Sequence, residues 1–140
     1  MGHSVVEYRG QARRLHDIEI VTVVHVVLDA WRSEPDAPPV TPGVERLLAA
    51  WSTMFDTYGP GTLDIELDDF LETEADRESL SALLQRARDR LAGQGDVVPG
   101  DYMNRIVDAP GVLEFVDRPL ADVLAAFDRF GAVLAGPPAG

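Results

Sequence analysis

The segment HDIEIVTVVHVVLDAWR (16–32) constrains this chain most, because its valines support two readings that lead to different folds. Val, Ile and Thr favour strands. A half-buried strand alternates, however, and Val23-Val24 and Val26-Val27-Leu28 break alternation. The run is also about three times the usual strand length. At about 100° per residue, Glu19, Thr22, His25, Asp29 and Arg32 fall in one sector about 140° wide. Ile20, Val21, Val23, Val24, Val27, Leu28 and Trp31 cover the remainder, with Ile18 and Val26 intruding on the polar side. The β-branched residues cost only tenths of a kcal/mol each in a helix. Periodicity therefore predicts a helix over 18–32, apolar around more than half its circumference and central to the fold.

Further helices follow from caps and stripes. SEPDAPPVTPG (33–43) is a stiff connector, and within it Thr41 is an N-cap with Pro42 at the first helical position. Val44, Leu47, Leu48, Trp51, Met54, Phe55 and Tyr58 then recur at three- and four-residue spacing, and YGPG (58–61) stops the helix. Residues 61–72 read as a short helix on Leu63, Leu67, Phe70 and Leu71, although Asp64 to Asp68 also alternates. Thr73, with Asp76 three residues on, is a variant capping box for a helix burying Leu80, Leu83, Leu84, Ala87 and Leu91. A short helix begins at Pro99, and VLEF (112–115) reads as extended. Asp117 and Pro119 open a last helix on Leu120, Val123, Leu124, Phe127, Phe130 and Leu134. VVEYRG suggests a weak strand ending at Gly10, beside a small basic patch of Arg9, Arg13 and Arg14. The expectation is one all-α domain over 1–140, a bundle of five or six helices with at most a minor N-terminal strand or one minor strand pair. Residues 1–14 and 136–140 are expected to be flexible.

Composition removes several chemistries. The chain has 140 residues, no cysteine and a net charge of −12; all twelve basic residues are arginine. Thiolate nucleophiles and disulfides are excluded, as are Schiff-base and P-loop lysines. The anionic field disfavours nucleic acid. No apolar run reaches membrane-spanning length and no signal-peptide pattern opens the chain, so a cytoplasmic protein without membrane contact is expected.

Two groups of residues carry candidate chemistry. His25 and Asp29, one turn apart, with Glu19 nearby, offer a base oriented by a carboxylate beside an internal pocket. A solvated strip on a core helix explains the same spacing. His3, His16 and His25 match no zinc signature, and neither a metal nor another cofactor is expected. The second group is the run Asp64, Glu66, Asp68, Asp69, Glu72, Glu74, Asp76 and Glu78, offset by Arg77 alone, more than half the net charge. Asp69 stands where an EF-hand loop needs glycine, which argues against calcium. A dense negative surface would speed association with a basic partner.

GQGDVVPGDYMNRIV (93–107) has a Gly-Asp, Pro-Gly-Asp rhythm that loosely resembles small helical bacterial immunity proteins; the likeness lends no residue roles. The leading expectation is a non-enzymatic immunity- or antitoxin-like inhibitor. It would present Asp64, Glu66, Asp68, Asp69 and Glu72 to a basic toxin or nuclease, with Tyr58 and Tyr102 as exposed aromatic anchors. The alternative is a small helical enzyme or ligand-binding domain using His25, Asp29 and Glu19. A homodimer would follow if the apolar stripes exceed what one core buries.

Overall fold

The computed structural model describes residues 3–33, 39–56, 65–93, 95–107 and 114–135. In chain order the elements are β1 (His3–Tyr8), β2 (Gln11–His16), α1 (Asp17–Ser33), α2 (Pro42–Asp56), β3 (Ile65–Glu66), α3 (Glu74–Ala92), β4 (Val97–Val98), α4 (Gly100–Val107), β5 (Arg118–Pro119) and α5 (Leu120–Leu134). The chain is mostly helical, as periodicity predicts. None of these helices is long and apolar enough to cross a membrane.

α1 occupies the centre and touches α2, α3, α4 and α5. Ten of its residues, from Ile20 to Leu28 and Ala30, are buried, including Thr22 and His25 on the sector expected to be polar. A helix covered on every side is what an almost continuous valine run can satisfy. α2 and α5 meet beside it through the Trp51 and Phe130 rings, edge to face at 6.0 Å.

The capping signals are realised. Thr41 Oγ accepts from Val44 N at the start of α2. Thr73 and Asp76 form a reciprocal capping box at the start of α3. Asp117 has a different role from the one expected: its Oδ1 accepts from Gly100 N at 2.8 Å, so it caps α4 rather than α5.

The strands exceed the minor N-terminal strand or single strand pair expected. β1 and β2 form an antiparallel hairpin, and β3 joins β1 in parallel, giving the order β2-β1-β3; β4 and β5 pair separately. Residues 3–14, read as a flexible arm with one weak strand, lie mostly in this hairpin. Val6, Tyr8 and Leu15 are buried beneath it. The helix expected over 61–72 is corrected: residues 65–66 are strand and 68–70 a turn, while 61–64 lie outside the described residues. The alternation from Asp64 was the better guide. Leu67 N donates to Glu7 O, and Arg9 N donates to both carboxylate oxygens of Asp68, so long-range bonds from β1 hold the segment extended. In VLEF, residues 112 and 113 are likewise outside the described residues. Phe115 is buried, and Asn104 both accepts from its N–H and donates to its C=O.

Candidate functional site

The α1 stripe does not converge on one point. Glu19 sits three residues beyond His16, the last residue before the helix, and its Oε1 accepts from His16 N at 3.0 Å, half of a capping box. Its other oxygen pairs with Arg129 of α5. Glu19 thereby ties the helix start to α5.

His25 is 9 % exposed, and its Nδ1 lies 2.8 Å from Val21 O, one turn back. A carbonyl oxygen only accepts, so Nδ1 carries the proton. That bond ties the imidazole to the main chain of its own helix.

Asp29 faces elsewhere. Its Oδ2 accepts from the Tyr102 hydroxyl of α4 at 2.8 Å and lies 3.8 Å from Arg90 of α3; Ser33 Oγ donates to Oδ1. Arg32 donates to Ser52 of α2. Glu19, Asp29 and Arg32 thus meet different neighbouring helices, while Thr22 and His25 bond to carbonyls of α1 itself. The stripe is a set of seams holding surrounding helices to α1. The groove between α3 and α5, about 250 Å³ and lined by Leu84, Phe127, Gly131 and the Arg88–Asp128 pair, includes none of Glu19, His25 or Asp29.

Tyr102 is corrected as an exposed anchor. It is half-buried, packs against the core and donates its hydroxyl to Asp29. Burial, reinforced by that bond to a carboxylate, pushes its phenol well above the ordinary tyrosine range. Tyr58 lies outside the described residues, as does Asp64.

The acidic segment divides into internal and outward carboxylates. Asp68 closes the β1–β2 turn through Arg9 N. Asp76 is buried; its Oδ2 accepts from Glu72 N and Thr73 N. The Thr41 hydroxyl, followed by these backbone donors, holds its carboxyl below the usual range. Glu74 is bound by Arg77, which lowers its pKa, and lies 3.6 Å from Arg9. Glu66, Asp69 and Glu72 remain exposed and take no partner among the described residues. The backbone beneath them is fixed by the β1–β3 pairing at one end and the Asp76 cap at the other. Spacing alone could not separate the two sets, because Asp68 is fixed by a residue 59 positions away.

Among the described residues no group of three or more His, Asp or Glu side chains is placed to hold a metal ion. No protein-family model, curated protein or solved structure matches the chain.

Proposed function

We propose that the chain is a non-enzymatic inhibitor of the immunity or antitoxin kind, working in a bacterial cytoplasm as a compact helical bundle that docks a basic protein partner. The observation that carries this reading is the outward trio Glu66, Asp69 and Glu72 on an immobilised segment. Charges on fixed backbone need little ordering when a partner arrives, so their attraction is kept for association. The net charge of −12 supplies the longer-range steering. The trio replaces the wider set read from sequence, since Asp68 is engaged internally. A partner with a cationic face, such as a basic toxin or nuclease, fits that chemistry.

The test is affinity capture from the source cell at low and high salt, followed by association kinetics with the captured partner. E66Q/D69N/E72Q is expected to slow association about tenfold at low salt and to flatten its salt dependence, with dissociation little changed. Unchanged association by the triple variant would refute the proposal.

A further inference from the structure

The β2 edge carries chemistry opposite to that of the acidic trio. Arg9 and Gly10 both have positive φ, 50° and 77°, in a two-residue hairpin turn. That primed geometry places Tyr8 and Gln11 as a mutually hydrogen-bonded pair. Bonded pairs then recur at Val6–Arg13 and Ser4–Leu15. The N–H and C=O groups of Ala12, Arg14 and His16 therefore point away from β1. The far side of β1 supports this phase: Glu7, opposite Ala12, turns its C=O toward β3 and accepts from Leu67 N at 2.9 Å. His16 N–H already donates to Glu19. Ala12 and Arg14, both exposed, keep four main-chain groups on the outer edge, beyond which no described strand lies.

The charge along this edge is inverted relative to the whole chain. Residues 8–16 contain three arginines and no carboxylate. Arg13 and Arg14 are exposed, take no partner among the described residues, and as neighbours in a strand point to opposite faces. Antiparallel pairing with the β2 of a second copy would set arginines near arginines and join two chains of charge −12.

We propose that β2 is a β-augmentation site for an acidic, extended segment of a partner protein. The added strand bonds to the main chain of Ala12 and Arg14. It places one carboxylate on each face of the sheet, so its acidic residues stand at adjacent or odd-spaced positions. This surface is separate from the acidic trio and does not depend on the inhibitor reading.

The probe is the capped peptide Thr-Val-Glu-Glu-Val-Thr, with the Gln-Gln version as control, titrated into ¹⁵N-labelled full-length protein at low salt. The acidic peptide is expected to shift the Ala12 and Arg14 amides, slow their hydrogen exchange, and bind at least about tenfold more tightly than the control. R13E/R14E should weaken it about tenfold. A12P removes an N–H that the hairpin does not use and should abolish binding with the far-UV spectrum unchanged. If A12P unfolds, R13E/R14E and the amide map decide. No binding at millimolar peptide, equal binding of the control, or full affinity in R13E/R14E would overturn the site. So would a wild-type dimer that the edge variants dissolve, since the occupant would then be a second copy.

Discussion

Tyr102 and Asp29, 73 positions apart in sequence, are joined by a 2.8 Å hydrogen bond that fastens α4 to the central helix. The donor is a neutral phenol and the acceptor a carboxylate that also faces Arg90 and Ser33. Y102F keeps the ring and removes this bond alone. Urea unfolding should show a loss of about 1–2 kcal/mol, because Asp29 retains its other partners.

The same residue sets an alkaline limit. A phenol whose pKa is raised on folding contributes stability that is complete below the unfolded tyrosine value, about 10, and is lost as pH rises toward the folded one. Unfolding measured from pH 9 to 11 should show wild type losing stability more steeply than Y102F. Parallel slopes would mean that the phenol is not protected.

Asp76 contributes to acid sensitivity with the opposite sign. Its folded pKa is depressed, so its contribution is present above the ordinary carboxylate value and is lost as pH falls through the folded one. D76N should cost about 1 kcal/mol or more at neutral pH through the weakened cap. It should also flatten the acid limb of the stability curve below about pH 4.

Asn104 offers a test that separates shape from hydrogen bonding. Its amide donates to Phe115 O and accepts from Phe115 N–H. N104D is nearly isosteric but cannot donate, and it sets a carboxylate against a carbonyl. A loss of about 1–3 kcal/mol in chemical denaturation is expected, larger near neutral pH than near pH 3.

Gly100 marks a backbone crossing. A methyl group there would collide with Phe115 O and come within 2.9 Å of Val116 Cα. G100A should therefore destabilise by about 1–3 kcal/mol, although alanine is the better helix former. A thermal midpoint at or above wild type would show that the 114–117 segment can move aside.

The helices were legible because their causes are local. Doublets such as Val23-Val24 ruled out alternation, and Thr41, Thr73 and Asp76 marked helix starts by chemistry within one turn. The α1 stripe was visible as a stripe but not as a set of seams: Arg129 reaches Glu19 across 110 positions and Tyr102 reaches Asp29 across 73. The hairpin was half seen, since Arg9-Gly10 lacks the Asn-Gly signal of a primed turn and Arg13-Arg14 breaks the apolar alternation. β3 was misread because a two-residue strand has no period of its own. Its state is set by β1, and the alternation beside it was outweighed by leucines at helical spacing.

The Asp76 carboxylate links two helix starts. It closes the box at α3, takes the Thr41 hydroxyl at the head of α2, and lies where a side chain on Gly43 would collide with it. Neither α2 nor α3 can fray at its beginning without disturbing the other. Amide exchange at Val44 and at Asp76 should then report a single shared opening event, making this junction one cooperative unit with a common protection factor rather than two independent ends.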